Sequence, residues 1–459
     1  MAFHSAAFLF FFLPLVFLLY LVIPGTRAKN VYLTFAGLIF YACGQWRGLP
    51  FLLFSALLAW LAGRSGRKGV LVLTLACQLV LLGAFKYLDF FTGTLNDLLG
   101  LRIPAANLPV PIGVSFFTFK AMAYTIDAYR DGGKSRRFLD VLLYLSFFPQ
   151  VVSGPIARYE QFAENLEDRP LNAVQTAHGL RRFITGFAKK ALLSETAALA
   201  ANSAFGLEAG LDFRLAWLGA FAYTIQIYFD FSGYSDMAVG LCRVFGFHLP
   251  ENFHYPFISA SITEFWRRWH ISLGRWFRDY VYIPLGGNRK GRGRQMLNIL
   301  VVWVLTGFWH GAAWNFILWG LLFAILLAAE KFWLLNKLEK SRVLSRVYTL
   351  FFVLLSFVIF SAENAGQALY NLGGLFGAGG IPFVSDEAVY SLQSFGIVLL
   401  AGITGATPTV RILAEKLSER PAGGRIIRGF EPFVFAALVI VITAYLVDGS
   451  FHPFLYFRF

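Results

Sequence analysis

Residues 297–329 read LNILVVWVLTGFWHGAAWNFILWGLLFAILLAA, with one histidine, His310, and no Lys, Arg, Asp or Glu. A helix needs about 20 apolar residues to cross a bilayer core, so the run is long enough to span. An ionisable side chain at that depth is costly and faces a cavity or a partner. A buried imidazole tends to stay neutral, and a neutral imidazole can accept a proton. The segment predicts a membrane-spanning fold with proton-transfer chemistry inside it.

The same apolar character extends in both directions. The 459 residues are 57% hydrophobic and 14% charged, with a mean hydropathy of +0.61. A soluble domain carries about 25% charged residues. About ten to twelve apolar stretches are candidate spans, some short enough to be re-entrant or interfacial. The alternating strands of a membrane barrel are absent. The expected fold is an all-α polytopic membrane protein, with residues 1–459 as a single integral domain. Helices are expected near 8–23, 31–45, 50–63, 69–88 and up to Arg130, then at 179–201, 213–229, 232–246, 258–283, 297–309, 311–335, 347–362, 389–405 and 430–447. Residues 139–156 read as re-entrant, 157–178 as a polar loop, and Gly373–Ser385 as a glycine-rich loop.

The net charge of +14 is dispersed. Basic clusters at Arg27/Lys29, Arg64–Lys68, Lys134–Arg137, Arg289–Arg294, Lys337–Arg346 and Arg411–Arg428 separate the apolar runs. This is the positive-inside pattern, which puts these loops in the cytoplasm against anionic lipids and leaves no nucleic-acid surface. The run Phe8–Ile23 lacks a basic leader and a cleavage site, so it reads as a retained helix with its N-terminus outside. Cys43, Cys77 and Cys242 form no disulfide or zinc pattern. No HxxxH or HExxH spacing suggests a metal site.

A second stretch, ITEFWRRWHISLGRWFRDYVYI (Ile262–Ile283), reads as one amphipathic helix in the membrane interface. Ile262, Phe265, Trp266, Trp269, Leu273, Trp276 and Tyr280 form its apolar stripe; Glu264, Arg267, Arg268, Arg275 and Arg278 oppose it. His270 falls at the stripe's edge. Lys120, Asp127, Asp230 and Asp236 lie in apolar context and are expected to form ion pairs that lock helices together. The run GGNRKGRGR lacks a phosphate-loop pattern and reads as a cytoplasmic loop whose charge suits donor phosphates.

Five stretches together, PIGVSFFTFKAMAYTIDAYR (Pro111–Arg130), FPQVVSGPIAR (Phe148–Arg158), YFDFSGYSDMAVG (Tyr228–Gly240), FWRRWHISLGRWFRDYVYIPLGGNRKG (Phe265–Gly291) and TGFWHGAAWNFILWG (Thr306–Gly320), resemble the signature blocks of membrane-bound O-acyltransferases. They are most similar to the bacterial alginate O-acetyltransferase branch, and the resemblance extends over roughly residues 8–457. Lys120 departs from the neutral polar residue expected at its place. The resemblance implies a multi-helix bundle with re-entrant and interfacial helices around a central tunnel. It places the family's essential histidine on His310 and its second on His270. Acyl transfer needs a base for the attacking hydroxyl and donors for the oxyanion. His310 is the expected base, and His270 orients the donor or polarises its carbonyl. Trp309, Trp314 and Asn315 are candidate oxyanion donors by adjacency, and Trp309, Asn315, Arg267 and Arg268 are the expected substrate contacts, the two arginines on the donor.

The resemblance further implies acetyl-coenzyme A as donor, no tightly bound cofactor, an exported polysaccharide as final acceptor and an extracytoplasmic acetyltransferase as partner, in the cytoplasmic (inner) membrane. Transfer of D-alanine to teichoic acid from a carrier-protein thioester is the alternative within the class. A proton-coupled transporter using Asp230, Asp236 and His310 is the alternative outside it, against which stands the lack of an internal repeat.

Overall fold

The structure, a computed structural model, describes residues 3, 5–133, 136–170, 172–206, 211–378, 382–448 and 454–455. Lys134 of the third basic cluster and 379–381 of the glycine-rich loop lie outside these. Every regular element among the described residues is a helix. Among the described residues six stretches are long and apolar enough to cross a membrane: Thr26–Ser65, Lys68–Leu99, Trp314–Leu338, Arg342–Ser361, Asp386–Gly405 and Pro421–Asp448. Ile397, Phe433 and Val447 on the last two are 83%, 72% and 80% exposed. That suits a lipid solvent, where helices satisfy their own backbone and apolar side chains need no cover. The chain is an all-α polytopic membrane protein.

It forms two compact units, residues 1–183 with 235–251 and residues 184–234 with 252–459. The first contains α1 (Leu13–Val22), α2 (Thr26–Gln45), α3 (Leu49–Ser65), α4 (Lys68–Leu82), α5 (Leu88–Leu99), α6 (Val114–Arg130), α7 (Phe138–Ser146), α8 (Tyr159–Glu167) and most of α9 (Ala173–Ala188). After α7 the chain turns twice within the protein, and residues 147–157 are all buried. Lys120 on α6 holds this re-entrant stretch by donating to the Tyr144 carbonyl and to Gln150 Oε1. Asp236 pairs with Arg182 at 2.8 Å and Asp127 with Arg130 at 3.4 Å. The polar loop expected over 157–178 is instead α8 and the start of α9. Tyr159, Phe162 and Leu166 give α8 a buried face, which the many polar residues around them obscure.

The second unit contains α10 (Glu195–Phe205), residues 213–234 of α11 (Phe213–Val244), α12 (Ile262–Arg268), α13 (Ile271–Phe277), α14 (Gly291–His310), α15 (Trp314–Ala329), α16 (Leu335–Leu338), α17 (Arg342–Ser361), α18 (Ala365–Leu375), α19 (Asp386–Gly405), α20 (Thr409–Ser418) and α21 (Pro421–Asp448). The two helices expected at 213–229 and 232–246 are one 32-residue helix. A glycine inside a helix costs only about 1 kcal/mol, and Asp230 is held in place by Lys190 Nζ at 2.5 Å. Lys190 also pairs with Glu195 at 2.7 Å, so Asp230 and Asp236 do join separate elements by ion pairs, whereas Asp127 pairs within its own helix and Lys120 bonds a carbonyl and an amide instead of a carboxylate.

The single interfacial helix expected over 258–283 is broken at Trp269–His270 into α12 and α13. Its two faces are as read: Arg267, Arg275 and Arg278 are exposed, while Ile262, Phe265, Trp269, Leu273 and Trp276 are buried. The covering of the apolar face is protein, however. Trp266 packs on Trp303 with ring centroids 4.6 Å apart, and Trp269 on Phe357 at 5.2 Å. A helical stripe specifies which side is apolar, not whether lipid or protein meets it.

Candidate functional site

The hairpin of α14 and α15 sets the position of His310. Apolar helices gain nothing from leaving lipid for one another, so close packing has to supply the association. Small residues permit it here. A Cβ on Gly307 would lie 2.2 Å from the Phe316 carbonyl oxygen, and one on Gly320 would lie 2.3 Å from that of Trp303. The two glycines bring the backbones into contact one turn before His310, the last residue of α14. Its imidazole is 4% exposed, edge-on to Trp309, Trp319 and Phe360 at 5.0, 5.1 and 5.1 Å.

His270 is held differently. Ser261 caps α12: its Oγ accepts from the Glu264 N–H at 3.0 Å, and the Glu264 side chain reaches back so that its Oε2 accepts from the Ala260 N–H, one residue before the cap, at 2.8 Å. Glu330, buried at the end of α15, adds its carboxylate to the same helix start. It accepts from Ile262 N at 2.5 Å, Thr263 N at 2.9 Å and Thr263 Oγ1 at 2.7 Å. An anion there also complements the helix dipole. After α12, His270 takes a left-handed backbone conformation, φ 44° and ψ 51°, unusual for a residue with a side chain. The loop preceding α12 clamps that junction: the Arg268 carbonyl accepts from His254 N at 2.9 Å, and the Asn252 carbonyl accepts from Ile271 N at 3.0 Å. His270 lies outside the six apolar spans, and burial pushes its imidazole down to about 3. The ring is neutral at physiological pH.

The two histidines, distant in sequence, converge on one indole. The Trp309 ring centroid is 6.0 Å from that of His270 and 5.0 Å from that of His310. A cavity of about 610 Å³ has His270, Trp266, Arg267, Arg275, Arg278 and Tyr282 in its wall. A second, of about 850 Å³, is walled by Lys190, Glu195, Gln226, Phe360, Glu363 and Gln367 among others. His310 is in neither wall, but its ring contact Phe360 is in the second and Trp309 leads to His270 in the first. The cavities differ in chemistry: the first gathers guanidinium groups, the second mixes amides and two carboxylates with the Lys190 ammonium.

The other residues singled out in the sequence separate. Trp309 lies between the histidines. Arg267 faces the first cavity, whereas Arg268 is tied to Glu264 at 2.8 Å and to the His254 carbonyl at 3.1 Å. Asn315 is fully buried and donates its amide to the carbonyls of Ala362 at 2.7 Å and Ile359 at 3.4 Å, where it clamps the end of α17. Trp314 is 51% exposed. Sequence reasoning missed Asn252 and Glu330. Glu330 had a readable signal, being a lone carboxylate closing an apolar run; Asn252, in a loop, had none.

Comparison with known proteins identifies the family of the chain. The membrane-bound O-acyltransferase family matches residues 78–372. The probable alginate O-acetylase AlgI of Pseudomonas putida is 36% identical, with all of both chains covered. The peptidoglycan O-acetyltransferase of Helicobacter pylori is 34% identical over 89% of this chain and 87% of its own. The teichoic acid D-alanyltransferase of Bacillus subtilis is 34% identical over only 57% of this chain and 71% of its own. With a family match over most of its length and a relative matched over the whole of both chains, this chain belongs to the membrane-bound O-acyltransferase family.

Proposed function

We propose that the protein moves acetyl groups from a cytoplasmic donor, acetyl-coenzyme A, toward an exported polysaccharide, with an extracytoplasmic acetyltransferase as partner. The observation that carries this reading is the convergence of His270 and His310 on Trp309 between an arginine-walled cavity and one of mixed polar character. The acetyl-transfer part draws on the alginate O-acetylase and peptidoglycan O-acetyltransferase relatives. D-alanyl transfer has relatives that match less of the chain, and no feature of the site favours it. A proton relay through Asp230 and Asp236 is not favoured either, since each carboxylate is engaged by a cation.

Helix direction supports the orientation. α14 starts beside the basic cluster Arg289–Arg294 and ends at His310; α15 returns toward Lys331–Arg346, and α17 leaves that cluster to end at Ser361. Short basic loops stay in the cytoplasm. The arginine-walled cavity then opens toward the donor's phosphates, and the cavity beside Ser361–Gln367 toward the outside. The same rule supports an N-terminus outside, and helical rather than barrel spans suit the cytoplasmic membrane of the cell. In the reaction His310 removes the proton from the acceptor hydroxyl. The alkoxide attacks the thioester carbonyl, the tetrahedral intermediate collapses to the ester with loss of the donor thiolate, and the proton held by His310 passes to that thiolate.

Purified protein in lipid nanodiscs, given acetyl-coenzyme A labelled in the acetyl group, is expected to release free thiol and pass label to a hydroxyl acceptor. Absence of both, with label transferred from a D-alanyl carrier instead, overturns the donor assignment. Labelling of Gly291→Cys by an impermeant thiol reagent applied outside intact cells overturns the orientation.

A further inference from the structure

Asn252 meets His270 through an atom whose identity the backbone decides. Its side-chain Oδ1 receives the Ser272 backbone N–H at 3.1 Å and the Ser272 hydroxyl at 2.9 Å, and it lies 3.3 Å from His270 Nδ1. A backbone N–H only donates, so the Asn252 atom facing it has to be the carbonyl oxygen; the flipped amide would set NH2 against N–H. An oxygen in that place can only accept from the imidazole. Nδ1 therefore carries hydrogen, and in a neutral ring Nε2 then holds the lone pair. Arg267, Arg275 and Arg278 in the wall of the cavity that His270 lines oppose a second proton on the ring. The left-handed backbone at His270 aims the imidazole at Asn252, and the Ile271 N–H bonded to the Asn252 carbonyl fixes the distance.

We propose that Asn252 is a positioning residue that locks His270 in the Nδ1–H tautomer, so that His270 enters the reaction through Nε2 as an acceptor of a hydrogen bond or a proton. An oxyanion needs a donor, and Nε2 in this tautomer is not one. The role of His270 is thereby narrowed: of orienting the donor and polarising its carbonyl, only the first remains. The group it meets on the donor side is an N–H, S–H or O–H. The part of the inference that concerns turnover rests on the acyl-transfer reading; the tautomer does not.

The test is nitrogen NMR of the full chain in lipid bilayers with 15N-labelled histidine. The seven histidines are reduced to one by subtracting the spectrum of His270→Gln. At neutral pH the His270 signals are expected to show a protonated Nδ1 and an unprotonated Nε2, and Asn252→Ala is expected to shift the ring toward Nε2–H. A wild-type ring protonated on Nε2 or on both nitrogens overturns the proposal whatever the variants do, as does an Asn252→Ala ring still locked as Nδ1–H. In the transfer assay Asn252→Ala is expected to lower kcat about tenfold or more with little change in the donor KM, the scale of lost outer-shell support at a histidine. Asn252→Asp, which keeps the acceptor, restores most of it. Wild-type kcat in Asn252→Ala beside a switched tautomer overturns the catalytic role. A wild-type protein with the assigned tautomer and no acyl transfer refutes the functional reading instead.

Discussion

The two histidine-bearing regions are built on opposite principles. His310 ends a regular helix, and its place comes from apolar contact: two glycines that let α14 and α15 touch, and three aromatic rings around the imidazole. His270 sits at a break between two short helices, and its place comes from polar clamps made by Asn252 and Glu330. The first arrangement suits hydrocarbon surroundings, where packing is the available force. The second suits a junction whose backbone groups would otherwise be buried without partners. The same residue type is thus held by shape in one place and by hydrogen bonds in the other, and different substitutions should loosen each.

The largest effect is expected from removing the first imidazole. His310→Ala should lower acyl transfer by on the order of 10²–10⁴, the usual cost of losing a general base, while the protein elutes as wild type on size exclusion. Near-normal transfer by that variant would end the base assignment and with it the contrast between the regions. On the shape-held side, Gly320→Val drives a side chain into the Trp303 carbonyl and should prevent the hairpin from closing. Overpacking costs about 1–3 kcal/mol in ordinary cores, and contact with rigid backbone should place this at the upper end, read as a lost or strongly lowered unfolding transition.

On the polar side, Glu330→Ala leaves two backbone N–H groups and the Thr263 hydroxyl without their acceptor. With each buried orphan costing about 1–3 kcal/mol, it should destabilise at least as much as the glycine change, and Glu330→Gln should recover part of the loss. Equal stability of wild type and Glu330→Ala would show that the start of α12 needs no anion.

The paired arginines should come apart when changed singly. Arg267→Gln should raise the donor KM several-fold, the loss of one charge-assisted contact of about 1 kcal/mol, with stability unchanged. Arg268→Gln should mainly lower stability, by about 1 kcal/mol or less given its partial exposure. The smallest effect is a pH slope. The folded-state imidazole of His270 titrates at about 3 against an ordinary value of 6.5, so the unfolded chain binds the extra proton first. The contribution of its neutral burial is complete above about pH 6.5 and is lost as pH falls toward 3. His270→Gln should flatten the decline in unfolding temperature across that window.

Much of this was legible in the residues because apolar runs speak directly about membrane spans. The α14–α15 hairpin fell where the run around His310 placed it, and the ion pairs of Asp230 and Asp236 followed from the cost of lone charges at depth. What could not be read was whatever depended on a partner distant in sequence. The stripe over 262–280 matched a continuous helix because periodicity is blind to one residue in a left-handed conformation; the clamps that stabilise the break come from Asn252 and Glu330, on other segments. The split imagined within α11 failed for a related reason, since the charge beside its glycine is balanced by Lys190 from another element. Arg267 and Arg268, adjacent and alike in the sequence, parted company only once Glu264 and His254 engaged one of them.

Ring contacts run unbroken from one cavity wall to the other, from His270 through Trp309 and His310 to Phe360, at 6.0, 5.0 and 5.1 Å. Under the proposed orientation that series stands across a voltage. Moving one elementary charge through 100 mV takes about 2.3 kcal/mol, and a continuous file of water at this place would short-circuit the ion gradients of the cell. Aromatic edges offer such a file no footing. Under the proposed transfer the neutral acetyl group changes carriers here without electrical work and the anionic remainder of the donor stays on its own side, so the same rings would also insulate the membrane they stand in.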